Sequence, residues 1–262
     1  MAGFEGLVVW ITGGGTGIGR SLALEVARQG GRVAVSGRRR DRLDEVVTEL
    51  AAAGREALAV ACDVADEASC RAAVEAVVAR FGRLDVAVAN AGYGVTGKVA
   101  ELPDATWRKQ FDVNVFGLLN TIRVAVPHLK ATRGRMVLVS SVAAFVYPKR
   151  NGAYTASKAA VSAIGNTLWA ELDGSGVSCT TIHPGFVESE IGQVDNDGVF
   201  RPERADKRPK ALFWTSDAAA RAMAQGILSR RRIFVFTGHG HVVAWLARTF
   251  PWVTSQLMRR LT

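Results

Sequence analysis

At 262 residues, 48% hydrophobic and 22% charged, the chain has the composition of a soluble globular protein and the length for one large domain with a deep core. No run of about 20 apolar residues is present, which argues against a membrane-spanning helix, and the apolar stretch at 7–11 leads into glycines rather than a cleavage site. The net charge of +9 suits a nucleic acid, an anionic membrane, an anionic ligand or simply a solvated basic surface.

Short β-branched runs alternate with helix-length segments. Strands are predicted at 7–11, 32–36, 57–61, 86–89, 135–140, 177–182 and 233–236. Most are nearly continuous apolar runs, the pattern of strands covered on both faces. Helices are predicted at 18–29, 39–53 and 66–81, closed by Gly30-Gly31, Gly54 and Gly82. Regular strand–helix–strand succession implies right-handed crossovers and a doubly wound parallel α/β sheet with helices on both faces, in a single domain over 1–262. Two stretches break the rhythm. Residues 188–215 are polar and long for a connection, which reads as a lid or binding loop on the substrate side. The tail at 237–262 carries Trp245, Phe250 and Trp252 among arginines. It packs as an ordinary helix, rests on a neighbouring subunit, covers the substrate site or touches a membrane surface. Cys62, Cys70 and Cys179 are scattered without C-x-x-C spacing and read as reduced, buried thiols in a cytoplasmic protein.

The first strand runs into Thr12-Gly13-Gly14-Gly15-Thr16-Gly17-Ile18-Gly19 and then a helix. Glycines let phosphate approach the backbone, and free N–H groups at a helix start meet its charge, so this turn is expected to hold a dinucleotide pyrophosphate. The spacing is Gly-x-x-x-Gly-x-Gly, not the general Gly-x-Gly-x-x-Gly. The second strand ends in Ser36-Gly37-Arg38-Arg39-Arg40, where NAD sites usually carry an acid for the ribose 2′-hydroxyl. A guanidinium there binds a 2′-phosphate instead, so NADP(H) is expected over NAD, with Arg38 the main contact and Arg39 the second. Asp63-Val64 would meet the adenine, although a helix-capping aspartate looks the same. Asn90-Ala91-Gly92 ends the fourth strand with small residues that leave room for the adenosine ribose, asparagine being tolerant of unusual backbone angles.

Tyr154 and Lys158 lie one helical turn apart, so both leave the same face of a helix. Bringing a tyrosine from its ordinary pKa near 10 to neutrality takes roughly 4 kcal/mol. One cation at about 4 Å supplies about that much at an effective dielectric near 20. The lysine is therefore expected to lower the tyrosine pKa and make it a proton donor at neutral pH.

In order and spacing these motifs resemble the short-chain dehydrogenase/reductase superfamily, in its shorter subgroup. The match runs from Gly6 to about Ser189, continues more weakly through Phe236, and adds Asn114, Ser140-Ser141 and Pro184-Gly185. The resemblance implies Tyr154 as general acid in carbonyl reduction and general base in alcohol oxidation. It implies Lys158 on the nicotinamide ribose, Ser141 on the substrate oxygen, and Asn114 anchoring a water that links Lys158 to solvent. Pro184, Gly185 and Val187 would lie along the nicotinamide, with Ser189 where a threonine is common. His183 is expected to pack or to sit on the substrate rim. Homodimers or homotetramers through 104–132 and 151–173 are also implied.

The expected reaction is hydride transfer from NADPH to a ketone or aldehyde, without a metal, since His239-x-His241 has no Cys or Asp partner. The alternatives are an NAD-linked alcohol dehydrogenase of the same family, a non-catalytic dinucleotide-binding regulator, and a nucleic-acid-binding protein, the last lacking any recognised motif. The substrate pocket is expected from 143–150, 94–99 and 188–215. Phe145, Val146, Tyr147, Phe186 and Phe200 favour a bulky apolar carbonyl compound; Arg201, Arg204 and Lys207 leave an anionic one open.

Overall fold

The computed structural model describes residues 3–206, 208 and 210–261; Lys207 and Pro209 lie outside the described residues, as do the side chains of Lys210, His239, Arg260 and Leu261. Seven parallel strands form one sheet in the order β3-β2-β1-β4-β5-β6-β7. They are β1 (Val8–Thr12), β2 (Arg32–Gly37), β3 (Ala57–Ala61), β4 (Val86–Ala89), β5 (Arg135–Val139), β6 (Ser178–His183) and β7 (Ile233–Val235). Every predicted strand is present with its ends within one residue.

The strands alternate their side chains between two apolar layers. Val9, Ile11, Val33 and Val35 face one way, against Leu22 and Val26 of α1 (Gly17–Arg28), Val46 of α2 (Arg40–Ala52) and Met223 of α7 (Ser216–Leu228). Val8, Trp10, Ala87 and Leu138 face the other, against Val74 and Val77 of α3 (Glu67–Phe81), Leu129 of α5 (Gly117–Thr132) and Val161 of α6 (Gly152–Glu171). All five residues of β1 are buried, which is why it reads as a continuous apolar run.

Two segments depart from the sequence expectation. Residues 104–132 are not one regular helix: α4 (Asp104–Phe111) passes through a π-helical turn, Asp112–Phe116, into α5. The turn swings Asn114 inward, as such bulges do at functional sites. The tail is two helices, α8 (Gly238–Thr249) and α9 (Pro251–Leu261), broken at Phe250 ahead of a proline suited to a helix start. Among its described residues, the 188–215 segment keeps an irregular course with two 3₁₀ turns, Glu190–Gln193 and Lys210–Leu212.

The strand order reverses between β1 and β4. Connections there leave in opposite directions, opening a crevice beyond the carboxyl ends of the strands.

Candidate active site

A cleft of about 530 Å³ fills that crevice, running from the glycine turn and the end of β2 to Ser141 and Tyr154. The turn is fixed by long-range hydrogen bonds. The Thr12 hydroxyl donates to the Val88 carbonyl (3.3 Å) and accepts from the Asn90 and Ala91 N–H groups (3.0 and 3.1 Å). The Asn90 carboxamide donates to the carbonyls of Thr12 (2.9 Å) and Gly13 (3.2 Å). Asn90 therefore braces the turn with its side chain. The unusual backbone angles fall on Gly13 (φ 65°) and Gly17 (φ 52°) rather than on the asparagine, which corrects the sequence reading. Thr12, expected on the cofactor, lies beneath the wall as part of the same brace. A Cβ at Gly19 would stand 2.2 Å from the Gly13 carbonyl oxygen, so helix and turn meet only through glycine.

Thr16 caps α1 without a side-chain hydrogen bond, leaving the first-turn N–H groups for an anion. Gly13, Gly15, Thr16, Gly17, Ile18 and Gly19 line the cleft beside them.

At the end of β2, Gly37, Arg38 and Arg39 line the cleft as expected, joined by Arg42, which the sequence reading missed although it lies one helical turn beyond Arg38. The 188–215 segment crosses to this wall. Arg38 donates to the Gly198 carbonyl (3.0 Å), and Arg39 to Glu190 (2.7 Å) and the Thr16 hydroxyl (3.3 Å), with its guanidinium 5.6 Å from the Phe200 ring centre. The segment is also pinned to the loop after β4: Asn196 accepts from the Thr96 N–H (3.0 Å) and donates to its carbonyl (2.9 Å). Asp63 and Val64 line the cleft. Asp63 accepts from the Ala65 N–H (3.0 Å), while Asp66 caps α3, so the capping alternative falls to the other aspartate. Ala91 and Gly92 lead to Tyr93, a second lining residue not anticipated, whose buried hydroxyl has no hydrogen-bond partner among the described residues and is pushed up to about 12 by burial.

At the other end, Tyr154 and Lys158 project from one face of α6 into the cleft. The Ser141 side chain lies beside Tyr154 and acts to lower its pKa. Ser141 Oγ accepts from the Ala143 N–H (3.1 Å). Ser140 points away and donates to the Lys158 carbonyl (2.8 Å). His183 packs behind the serine, its Nδ1 3.3 Å from the Ser141 carbonyl and its ring 4.6 Å from that of Phe145; burial pulls its pKa down to about 4. Asn114 accepts from the Tyr93 N–H (3.1 Å) and donates to the Tyr93 carbonyl and Ser157 hydroxyl (both 3.0 Å). Pro184, Gly185, Val187 and Ser189 line the cleft near Tyr154, and Arg208 joins them.

The electrostatics correct one expectation. Lys158 donates to the Val139 carbonyl (2.9 Å), and its ammonium lies 5.9 Å from the centre of the Tyr154 ring. Burial holds the Tyr154 pKa above the ordinary tyrosine value, and the Ser141 side chain and Arg208 charge only oppose it. Burial also pulls Lys158 down to about 8. Desolvation outweighs charge attraction here because both groups are enclosed.

A doubly wound sheet with a glycine turn at its switch point is a dinucleotide-binding fold. Residues 7–199 match the family model described as short chain dehydrogenase, and the chain belongs to that family. It is 39% identical over 190 residues to an 11-beta-hydroxysteroid dehydrogenase A of Sesamum indicum, covering 72% of this chain and 54% of the relative. An uncharacterized oxidoreductase of Myxococcus xanthus is 40% identical over 187 residues, 71% of this chain and 74% of the relative. The chain thus spans about half the length of the hydroxysteroid dehydrogenase relatives it matches. Among solved structures, a short-chain dehydrogenase/reductase from Burkholderia phymatum in complex with NAD superposes with a TM-score of 0.86 at 26% identity, over 97% of both chains. An alcohol dehydrogenase from Thermococcus sibiricus complexed with 5-hydroxy-NADP gives 0.76 at 27% identity, over 88% of this chain and 94% of that one.

Proposed function

We propose that the protein interconverts a ketone or aldehyde and the corresponding alcohol using NADP(H), with Tyr154 moving the proton. The observation that carries the cofactor choice is the end of β2, where Gly37 replaces an acid and Arg38, Arg39 and Arg42 form the wall. The residues fit a dinucleotide: uncapped N–H groups and Gly13–Gly19 for the pyrophosphate, Asp63–Val64 for the adenine, Asn90–Gly92 for the adenosine ribose. Pro184, Gly185, Val187 and Ser189 would line the nicotinamide, and Lys158 its ribose. The bound nicotinamide would supply the hydride.

The rest falls to side chains. Tyr154 and Ser141 line the same part of the cleft, so a carbonyl oxygen entering there would meet two hydroxyl donors. Tyr154 gives its proton as negative charge grows on that oxygen, and Ser141 holds the oxygen in place. Lys158, charged below about pH 8, favours the phenolate left behind. Asn114 would hold the water that returns a proton to Lys158.

A bulky apolar substrate is favoured by Ile191, Val194, Val199 and Phe200, which line the cleft, and by the hydroxysteroid dehydrogenase relatives. Of the cationic candidates, Arg201 is paired with Asp195 (2.9 Å) and Arg204 reaches the Val194 carbonyl and Thr96 hydroxyl, which leaves little free charge for an anionic one. Assembly as a dimer or tetramer would use α4–α5 and α6, where Phe116 and Trp169 are exposed. One observation favours an NAD-linked alternative: Glu190 already engages Arg39. Turnover of a panel of ketones with NADPH and NADH tests the choice. The wild type should prefer NADPH by about ten- to a hundred-fold, the worth of charge-assisted hydrogen bonds to a phosphate, and Arg38→Asp should abolish the preference. Equal turnover with both cofactors in the wild type would overturn it.

A further inference from the structure

We propose that α8 and α9 form a docking surface for an anionic lipid bilayer, set against the rim of the catalytic cleft. The inner side of α8 is anchored. Thr237 caps it, Ala244 is buried, and a Cβ at Gly240 would stand 3.1 Å from Val142 and 3.3 Å from Val235. Arg248 lies 4.7 Å over the ring of Phe145, which packs on His183 directly behind Ser141.

The outer side is not explained by packing. Exposed residues of α8 recur at His241, Val242, Trp245, Arg248 and Thr249, the spacing of one helix face. Trp245 is 59% and Trp252 of α9 70% exposed, with Phe250 edge-on to Trp245 at 6.0 Å. Large apolar side chains grouped in water mark an interaction surface rather than a scattered exposure.

Charge identifies the partner. From Thr237 to Thr262, the stretch that forms the two helices, the sequence has three arginines and no aspartate or glutamate. Neither β7 nor the 142–144 turn, both packed on α8, contributes an acid. The loop that follows this turn exposes Tyr147 beside Lys149 and Arg150. Tryptophans among arginines suit the headgroup layer of an anionic membrane, where the rings sit at the interface and the cations meet lipid phosphates. A second copy of the same face would oppose arginine to arginine with no acid to pair them. Among the described residues no helix is long and apolar enough to cross a membrane, so the association is peripheral.

Docked in this way, the Phe145 side of the cleft would face the bilayer, the direction from which a lipophilic carbonyl compound arrives. Only that delivery rests on the reaction proposed above; the docking does not.

The test is flotation of the full chain with vesicles of phosphatidylglycerol and phosphatidylcholine, against phosphatidylcholine alone. The protein should float with the anionic vesicles, with a blue shift of tryptophan emission, and be released in about 1 M salt, where charges are screened beyond about 3 Å. Each arginine at the surface is worth roughly five-fold in partitioning. Trp245→Ser/Trp252→Ser should lose on the order of ten-fold in partitioning while reducing a small water-soluble ketone at the wild-type rate. Failure of the wild type to float with any vesicle would overturn the proposal. So would a variant that keeps its vesicle binding, or one whose only change is dissociation of a dimer in sedimentation, which would assign the face to a second copy. Flotation does not depend on turnover, so a wrong cofactor or substrate reading cannot be mistaken for failure to dock.

Discussion

The two walls of the cleft are built by opposite means. On the β1–α1 wall and the α6 face, backbone meets backbone through glycine, and polar groups are buried and paired within the core: Thr12 with Val88 and Asn90, Lys158 with Val139, Asn114 with Tyr93. On the wall formed by 190–200, exposed side chains reach across the cleft: Arg38 to Gly198, Arg39 to Glu190, Asn196 to Thr96. The first wall has no slack, so a change there disturbs fold and chemistry together. The second is a set of solvent-screened contacts, each weak alone, suited to opening for a ligand and closing on it.

The contrast is tested hardest at Tyr154. Tyr154→Phe removes one oxygen from the rigid wall and leaves the ring in place. Turnover should fall by about 10²- to 10⁴-fold, the range for a positioned general acid. Dinucleotide affinity, measured by fluorescence titration, should stay within a few-fold. Full turnover in the variant would remove the proton-transfer assignment.

Lys158 sharpens the point because its burial is a cost. Its folded pKa, about 8, lies below the ordinary 10.5, so the unfolded chain binds more protons between those values and stability should rise with pH across that window. The penalty is fully present below pH 8, and a shift of this size is on the order of 3 kcal/mol, offset in part by the bond to Val139. Lys158→Met should therefore be inactive yet more stable by about 1–3 kcal/mol at pH 7 in denaturant titrations without dinucleotide, with the gain shrinking towards pH 10.5. A variant less stable than the wild type at pH 7 would show that the lysine is held by attraction rather than against desolvation.

Gly19 tests the same wall by volume. Its missing Cβ would lie 2.2 Å from a backbone oxygen that cannot rotate away. Gly19→Ala should cost about 1–3 kcal/mol in thermal or chemical unfolding and abolish detectable dinucleotide binding. Wild-type binding in the variant would mean that the turn has slack after all.

This division also sets what could be read in advance. The strands were legible because burial on both faces leaves continuous apolar runs, and the helix ends because glycines stop them. The glycine turn, Arg38, and the Tyr154–Lys158 pair were legible because each is a local spacing. The bracing role of Asn90 was not, since its partner Thr12 is 78 residues away, nor was the Arg39–Glu190 pair, separated by 151. Tyr93 joins the cleft because Asn114 grips its backbone from a π-helical turn that apolar periodicity does not encode. The direction of the Tyr154 shift was misread for the same reason: charge spacing is written in the sequence, whereas the depth of burial comes from the whole fold.

The smallest effect is expected at Glu190, and it isolates the pliant wall. Its carboxylate pairs with Arg39 at 2.7 Å, the two side chains 27% and 41% exposed, so the pair is worth at most about 1 kcal/mol. If the same guanidinium is to meet a 2′-phosphate, the carboxylate competes for it. Glu190→Gln keeps the shape and removes the charge. KM for NADPH should then fall by up to about five-fold, the equivalent of that pair, with kcat and the KM for NADH unchanged, because nothing on the rigid wall has moved. High salt should erase the difference, since screening weakens the competing pair in the wild type. A rise in KM for NADPH would instead make Glu190 the strut that holds Arg39 ready, and this wall would then be as pre-formed as the other.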